Sequence, residues 1–376
     1  MHVAQLNFLP APRCLGLAAL LERWPSLADI AELVATAGVR VTVLQAAAHA
    51  ERLTQAGVDY HLVDMRGTRT AKGRGRRFAD ALDGIGIDVL HAHSLAYVDD
   101  AFAVAGNLAQ GLPVVFQDHA DRPPHWWRRS RHRRRFAAAA GVAFTSLDLA
   151  RPFVAAGMFG PATRLLAIPE SSSRFTPGDR ARARATTGVH GEPCALWVGR
   201  LNRGKDPLTV LDGVALAAER MPGLHLWCAF GEEPMLAEVR ARIEADARLA
   251  GRVHLLGRVE HAQVETLMRA ADLFVSGSHT ESSGYAATEA IACGLTPVLT
   301  DIPAFRALTG NGRIGRLWPC GDAAALAEAL VGAAANLPSP LQVRAHFEET
   351  LSFKAVGRLW ADAYARVLDG RRGSVP

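Results

Sequence analysis

Two carboxylates and a glycine lie close together in the segment from Ser276 to Thr309. Glu281 and Glu289 are separated by seven residues, and Gly284 stands between them. The apolar run AADLFVSGS predicts a buried strand before this loop, and ATEAIACG predicts a helix after it. The first turn of such a helix suits a phosphate, because its N–H groups are unpaired and the helix dipole is positive there. With the two carboxylates as acceptors for hydroxyl groups, the segment predicts a nucleotide-sugar site.

A second segment, WVGRLNRGKDP from Trp197 to Pro207, places two cations on one loop. A strand ends ahead of Gly199, which lets the backbone turn, and Arg200 and Lys205 follow before the next predicted helix. Arg can bind a pyrophosphate through two parallel hydrogen bonds, and Lys binds it as a point charge. The loop therefore predicts a diphosphate site. The alternative is a solvated turn whose basic side chains bind nothing.

Two histidines lie at the ends of predicted strands in the N-terminal half. His119 follows the strand PVVF on a loop that we expect to face a ligand cleft, and His93 ends DVLHAHS. Histidine suits such a position chemically, although a lone histidine is more often structural. Asp118 and Asp121 flank His119, and they either orient its ring or cap the following turn.

A run of basic residues, WWRRSRHRRRF, follows in the same half. Trp126 and Trp127 precede the arginines, which include Arg128 and Arg131. A solvated helix face is one interpretation of this run. The other is contact with a phosphate-bearing or membrane-embedded acceptor, because Arg and Trp suit a lipid headgroup layer. No nucleic-acid-binding motif accompanies the run, so we predict no nucleic-acid partner.

The elements that must position these residues alternate between strand and helix. This alternation predicts an α/β fold with parallel sheets covered on both faces, and 376 residues exceed what one core usually serves. Residues 174–193 are rich in turn-formers and charge, which predicts a linker. We therefore predict Rossmann-like domains over 1–175 and 176–350. A C-terminal helix within 351–376 should pack towards the first domain.

The composition is that of an ordinary globular protein. Apolar residues make up 49% of the chain and charged residues 21%, with a formal charge of +5 that fits a mild preference for phosphates, anionic lipids or acidic substrates. The five cysteines form no C-x-x-C pair, so we predict reduced thiols, no metal site and a cytoplasmic location. Contact with the inner face of a membrane is compatible with this location. No apolar stretch is long enough to span a bilayer.

The pairing of VGRLNRGKD with ESSGYAATEA resembles the C-terminal nucleotide-sugar domain of the retaining GT-B glycosyltransferases of family four. FGEEPML, LLGRV and ADLFVSGS are similar to other landmarks of that domain, and DVLHAHS and LPVVFQDHAD resemble strand ends of the family's N-terminal domain. The similarity covers nearly the whole chain. It implies two Rossmann-like domains that face each other across a cleft.

The resemblance also implies roles for the site residues. Arg200 and Lys205 would hold the donor diphosphate. Glu289 would accept hydrogen bonds from the nucleotide ribose, and Glu281 from the transferred sugar. The other positions implied by the resemblance are Val259 beside the base, His119 near the donor sugar, and the backbone N–H groups of Ser283, Gly284, Tyr285 and Ala286 facing the phosphates and sugar.

Three segments depart from the family pattern. The family's glycine pair at the first strand-to-helix turn is missing, and Arg23–Ser26 stands about where we would place it. Ser282 and Ser283 replace a Gly and a Phe in the glutamate loop, and Pro169–Phe175 replaces the usual text before the linker. These differences predict a subfamily with its own sugar or acceptor.

The resulting expectation is a metal-independent glycosyltransferase that needs no cofactor. It would move a sugar from a nucleoside diphosphate sugar to a hydroxyl acceptor, such as a glycan, a glycolipid or a small molecule, with retention at the anomeric carbon. The leaving phosphate oxygen would take the acceptor proton, so we nominate no protein nucleophile. The alternatives are a nucleotide-sugar epimerase or phosphorylase, and a non-catalytic nucleotide-sugar sensor or transferase subunit.

Overall fold

The computed structural model describes residues 1–108, 111–336 and 338–372. It contains two compact units, one formed by Met1–Ser172 with the C-terminal helix and the other by Ser173–Ser352. The sequence placed the domain boundaries nearby, after residues 175 and 350. Residues 109–110, at the end of a predicted helix, and 373–376, in the predicted C-terminal segment, lie outside the described residues.

The N-terminal unit contains an eight-stranded sheet. Its strands are β1 (His2–Asn7), β2 (Arg40–Ala47), β3 (Glu51–Gln55), β4 (Val58–Asp64), β5 (Val89–His93), β6 (Val114–Gln117), β7 (Gly141–Phe144) and β8 (Arg164–Ala167). The order is β3-β4-β2-β1-β5-β6-β7-β8, and all neighbours are parallel except β3 and β4. The direction of the strand order reverses between β1 and β5, which is the switch point where ligands bind in such sheets.

Six helices of the N-terminal unit precede the second sheet. They are α1 (Leu17–Arg23), α2 (Pro25–Thr36), α3 (Ala71–Ala81), α4 (Val98–Ala105), α5 (Trp126–Phe136) and α6 (Leu147–Ala155). The sequence pattern predicts a helix over Phe78 to Ile85, but α3 begins earlier, after Thr70, whose hydroxyl accepts a hydrogen bond from Gly73 N at 3.1 Å. The basic first half of α3 carries little apolar periodicity from which to predict it.

The C-terminal unit contains a six-stranded sheet in which every paired neighbour is parallel. Its strands are β9 (Cys194–Gly199), β10 (His225–Phe230), β11 (Val253–Gly257), β12 (Leu273–Ser276), β13 (Thr296–Thr300) and β14 (Arg316–Trp318). The order β11-β10-β9-β12-β13-β14 is that of a Rossmann sheet, with its switch point between β9 and β12. The predicted α/β class with two Rossmann-like sheets is therefore confirmed.

Eight helices surround this second sheet. They are α7 (Arg180–Thr187), α8 (Pro207–Ala218), α9 (Leu236–Glu244), α10 (His261–Ala270), α11 (Tyr285–Cys293), α12 (Pro303–Thr309), α13 (Ala323–Ala335) and α14 (Pro340–Thr350). The segment 174–193, predicted as a hinge or linker, is not irregular throughout, because α7 lies within it. Asp179 caps α7 by accepting from Arg182 N at 2.9 Å, and Arg184 bonds Asp272 of the same unit at 2.8 Å.

The last described helix, α15 (Phe353–Arg372), packs on α2 in the N-terminal unit. Trp360 and Tyr364 on this helix are fully buried, and the Tyr364 hydroxyl lies 2.8 Å from His91 Nδ1. The helix therefore completes the core of the N-terminal unit. None of the helices in the described ranges is both long and apolar enough to cross a membrane.

Candidate active site

The loops that leave β9 and β12 meet at the switch point of the C-terminal unit. A Cβ atom at Gly277 would lie 3.1 Å from the Lys205 carbonyl oxygen and 2.9 Å from a Val210 methyl group. Only a glycine lets the two loops approach this closely. The His279 N–H donates to the Gly204 carbonyl at 2.9 Å, which joins the loops further. The segment that carries the two glutamates is thus held against the segment that carries the two cations.

The central contact of this site is a salt bridge between Lys205 and Glu281. Lys205 Nζ contacts Glu281 Oε1, and the two side chains are only 22% and 16% exposed. Lys205 N donates to both oxygens of Asn202 at 3.0 Å, and the next residue, Asp206, caps α8 and accepts from His279 Nε2 at 2.8 Å. The ammonium of Lys205 and the carboxylate of Glu281 therefore lie side by side. The family resemblance implies different ligand groups for them, the diphosphate for Lys205 and the transferred sugar for Glu281.

Arg200 has a different environment from Lys205. It follows Gly199, the last residue of β9, and 58% of its side chain is exposed, with Nη1 3.9 Å from Glu232 Oε2. That Arg200 and Lys205 bind the same pyrophosphate remains a prediction.

Val259 lies just beyond β11 and packs, half-buried, against the apolar core of the unit.

The glutamate loop ends where α11 begins. Gly284 precedes α11 with a φ of 63°, and a Cβ atom there would lie 2.8 Å from the Phe305 ring, so the position requires glycine. Within the described chain, no side chain caps α11, and this leaves its first turn suited to an anion. Glu289 lies inside α11, and its Oε1 is 2.7 Å from His261 Nε2.

The remaining predicted backbone positions cluster at the same helix end. Ser283 is buried directly before Gly284, while Tyr285 and Ala286 are half-buried in the first turn of α11. All of them lie at the carboxyl edge of the sheet, as the strand-loop-helix pattern predicted. Their role as donors to phosphate or sugar stays a prediction.

A cavity of about 510 Å³ lies at the switch point of the N-terminal unit. Asn7 at the end of β1 and His93 at the end of β5 line it, and so does His119. Trp24 and Ser26 complete the wall from the junction of α1 and α2. The sequence placed Arg23–Ser26 at the first strand-to-helix turn, but that turn precedes α1, because Pro25 starts a second helix.

A chain of hydrogen bonds runs from this cavity into the N-terminal unit. His93 Nδ1 lies 3.0 Å from His119 Nε2, and His119 Nδ1 lies 2.7 Å from Glu170 Oε1. Glu170 is only 6% exposed. The predicted histidines are therefore brought together, and a carboxylate that the sequence reasoning had not nominated orients them.

The environment shifts the pKa values of the two histidines in opposite directions. Burial lowers the pKa of His119, but the hydrogen bond and charge of Glu170 outweigh burial, so the net pKa is raised. Burial, followed by the charges of His91 and His119, holds the pKa of His93 well below its usual range. The raised pKa favours the imidazolium form of His119, in which Nδ1 can donate to Glu170 and Nε2 to His93 Nδ1, and the lowered pKa favours a neutral His93.

The two aspartates near His119 hold the loop. Asp121 accepts from Ser94 Oγ at 2.7 Å, from Leu95 N at 2.8 Å and from the backbone N of His119 at 3.3 Å. Burial raises the pKa of Asp118 to about 7, and the charge of Asp121 adds to this rise. Asp121 therefore acts as a turn cap, which was one of the two roles that the sequence left open.

Glu170 is the functional candidate that sequence reasoning missed. It lies in Pro169–Phe175, which attracted notice only as a departure from a family pattern, and it follows β8, a strand that was also not predicted. Gln117 Nε2 donates to the Glu170 carbonyl oxygen at 2.8 Å, so the end of β6 fixes its backbone. The sequence signal for this role was one acidic residue, Glu170, followed by three serines.

The basic run forms α5, whose tryptophans point into solvent. Trp126 is 75% exposed and Trp127 58% exposed, and Arg128 is also exposed. Arg131 Nη2 pairs with Asp99 Oδ2 at 3.0 Å. A contact between this helix and an acceptor or a membrane remains a prediction.

Comparison with known proteins identifies the C-terminal unit. Residues 179–341 match the family model described as Glycosyl transferases group 1. The C-terminal unit is therefore similar to a group 1 glycosyl transferase domain. The match includes the loops of Arg200, Lys205, Glu281 and Glu289, so the resemblance inferred from those motifs is confirmed.

Curated relatives match only part of this chain. D-inositol 3-phosphate glycosyltransferase of Mycobacteroides abscessus is 34% identical over 152 residues, which are 39% of this chain and 33% of the relative. The enzyme of the same name from Mycobacterium bovis is 39% identical over 129 residues, which are 33% of this chain and 26% of the relative. The matched region thus spans a third or less of these relatives.

Solved structures match the chain over almost its full length. Sucrose-phosphate synthase from Thermosynechococcus elongatus has a TM-score of 0.69 at 19% identity, covering 98% of this chain and 99% of that one. A glycosyltransferase from Rickettsia africae has a TM-score of 0.76 at 12% identity, covering 98% of each chain. Anabaena HepE, in complex with UDP and glucose, has a TM-score of 0.70 at 17% identity, covering 97% and 100%. The chain has the GT-B fold.

Proposed function

We propose that the chain is a retaining glycosyltransferase that moves a sugar from a nucleoside diphosphate sugar to a hydroxyl acceptor. The observation that carries this proposal is the Lys205–Glu281 pair at the switch point of the group 1 domain. The complex of Anabaena HepE with UDP and glucose supports a nucleotide-sugar donor. The names of the curated relatives and of sucrose-phosphate synthase support an acceptor with several hydroxyl groups, such as a sugar or cyclitol phosphate.

Lys205 and Arg200 are proposed to stabilise the departing diphosphate. Negative charge develops on that group as the glycosidic bond breaks, and a preorganised ammonium stabilises it without reorganisation. A phosphate beside Lys205 would replace Glu281 as the partner of the ammonium. The freed carboxylate would then accept hydrogen bonds from the transferred sugar. The salt bridge therefore prepares both groups for their separate roles.

The remaining proposed donor contacts involve α11 and the residues just beyond β11. Glu289 is proposed to bind the ribose hydroxyls, for which its bond to His261 must open or be shared. The first turn of α11, from Ser283 to Ala286, would face the phosphates. Val259 offers an apolar contact for the base.

His119 is proposed as the catalytic residue of the N-terminal unit. Its imidazolium can stabilise negative charge or donate to a hydroxyl group, and Glu170 keeps it charged. The cavity beside His93 and Trp24 is proposed to bind the acceptor. The acceptor proton would pass to the leaving diphosphate oxygen, so the reaction needs no protein nucleophile and no metal.

Nucleotide binding tests the donor site directly. We expect one of UDP, GDP and ADP, or a sugar conjugate of it, to raise the melting temperature and to give a calorimetric binding signal. Glu289→Ala should weaken that binding, whereas Glu244→Ala, which removes an exposed glutamate at the end of α9, should not. Equal binding by both variants, or no binding of any nucleotide, would contradict the proposed site.

A further inference from the structure

Three histidines of the C-terminal unit converge away from the proposed donor site. One ring nitrogen from each of His190, His225 and His254 lies within 4.8 Å of the others. In the described ranges, no other group of three histidine, cysteine or carboxylate side chains meets this spacing. His225 begins β10 and His254 is the second residue of β11, so the cluster lies at the edge where the strands begin. The Lys205 site lies at the opposite edge.

The scaffold holds the three histidines in place through their neighbours. Trp227 pairs with His254 in the sheet register, and their rings stack with centroids 3.9 Å apart. The Trp227 indole N–H donates to the His190 carbonyl oxygen at 2.9 Å. The loop of His190 is tied to the start of β10, because Glu192 N donates to the Gly223 carbonyl at 2.7 Å. The spacing of the rings is thus a property of the folded unit.

The outer contacts of the cluster suit metal ligation. His190 Nδ1 lies 3.1 Å from the Gly188 carbonyl oxygen, which can only accept, so Nδ1 carries the hydrogen and Nε2 presents its lone pair. Metal-binding histidines commonly donate their second N–H to a carbonyl in this way.

We infer that His190, His225 and His254 form a binding site for a divalent transition-metal ion, with Zn²⁺ as the best fit. Three imidazoles with one open position are an established zinc ligand set, and the absence of carboxylates from the trio disfavours Mg²⁺ and Ca²⁺. His190 is exposed, which gives the ion a route of entry.

The ion would replace one hydrogen bond of the cluster. His225 Nδ1 and His254 Nε2 lie 3.0 Å apart, whereas two nitrogens about 2.0–2.1 Å from a tetrahedral Zn²⁺ are separated by about 3.3–3.4 Å. Opening the pair by a few tenths of an ångström is a small rotation of two rings. The bound ion would join the loop before β9 to β10 and β11, and would stabilise the unit without taking part in sugar transfer.

Metal titration of the untagged full chain, after treatment with a chelator, tests the inference. We expect one equivalent of Zn²⁺ to bind and to raise the melting temperature, and one equivalent of Co²⁺ to give the visible absorption of a tetrahedral site. His190→Ala and His254→Ala should weaken binding at least tenfold, because each removes one of three ligands. His49→Ala, which removes a histidine of the N-terminal unit, should bind metal as the wild type does.

Two outcomes would overturn the inference. One is the lack of stoichiometric binding by the folded wild type, which would make the trio a hydrogen-bonded structural cluster. The other is unchanged binding in both His190→Ala and His254→Ala. If His254→Ala fails to fold because His254 lies in β11, His190→Ala still tests the inference, because His190 is exposed and lies outside the strands. Nucleotide binding by the same variants should be unchanged, which separates this test from that of the proposed function.

Discussion

The two units have related sheets but differently constructed switch points. In the C-terminal unit, two continuous loops place the Lys205–Glu281 pair beside the start of α11. In the N-terminal unit, separate segments contribute Asn7, Trp24, His93 and His119 to the cavity. Glu170, from yet another segment, contacts His119. A contiguous motif suits a group that is the same in every donor, such as a diphosphate. A cavity built from distant segments can change shape without loss of the motif.

The charges at the two switch points are also controlled differently. Lys205 and Glu281 are partly reached by solvent and form an ion pair. Burial lowers the pKa of His93, whereas the contact with Glu170 raises the pKa of His119. The C-terminal site should therefore respond mainly to the loss of a charge, and the N-terminal site to pH.

Loss of the ammonium at the C-terminal switch point should have the largest effect. We expect Lys205→Ala to lower turnover by about 10²–10³-fold, because one preorganised charge-stabilising group is lost. The measurement is the rate of nucleoside diphosphate release from whichever donor binds. Arg203→Ala is the matched control, since this exposed arginine lies on the same loop. A Lys205→Ala rate near that of the control would remove the diphosphate role.

Neutralising Glu170 tests whether it sets the charge of His119. Glu170→Gln should lower the pKa of His119, so the decline in activity on the alkaline side should move to lower pH. Because the amide oxygen can still accept from His119, the substitution replaces a charge-assisted hydrogen bond with a neutral one, which should also cost about 1 kcal/mol of unfolding free energy. The measurements are the pH profile of turnover and urea unfolding. An unmoved profile in a destabilised variant would restrict Glu170 to a structural role.

Acid should destabilise the N-terminal unit through His91. Burial, and then the charge of His119, lowers the pKa of His91 to about 3 from 6.5. Between these values the unfolded chain binds a proton that the folded chain does not, so stability falls as pH falls, by up to about 1.4 kcal/mol per pH unit. His91→Gln should reduce the loss of unfolding free energy measured between pH 7 and pH 5. His49→Gln should lose as much as the wild type, and an equal loss in His91→Gln would contradict this assignment.

The smallest effect is expected at the ribose contact. Glu289→Gln keeps the shape of the side chain but removes its charge, and should weaken nucleotide binding about tenfold, or about 1.4 kcal/mol. Calorimetric titration of the nucleotide measures the change. His261→Ala should not weaken binding, because it frees Glu289 Oε1 from its present partner. Tighter binding by Glu289→Gln would show that the carboxylate repels the ligand.

The sequence predicted the C-terminal site better than the N-terminal one for a physical reason. Glu281, Gly284 and Glu289 are neighbours in the chain, so a short segment fixes their relative positions. Glu170 meets His119 only through the order of strands in the sheet, which no local pattern encodes.

Local structure was missed where side chains give little periodicity. The helix α7 has a single buried residue, Ala183, and its Arg-rich sequence suggested a linker instead. The strand β3 has no fully buried residue, and it forms an antiparallel hairpin with β4 at the sheet edge. Both elements are held by caps, ion pairs and backbone pairing, which hydropathy does not report.

The helix α15 has a consequence for the order in which the chain can fold. The C-terminal unit is one continuous insertion from Ser173 to Ser352. The core of the N-terminal unit, in contrast, includes Trp360 and Tyr364, which α15 supplies. On the ribosome, every residue of the insertion is synthesised before α15. Synthesis of the N-terminal unit therefore starts first, but its core is complete only after the whole C-terminal unit has been synthesised.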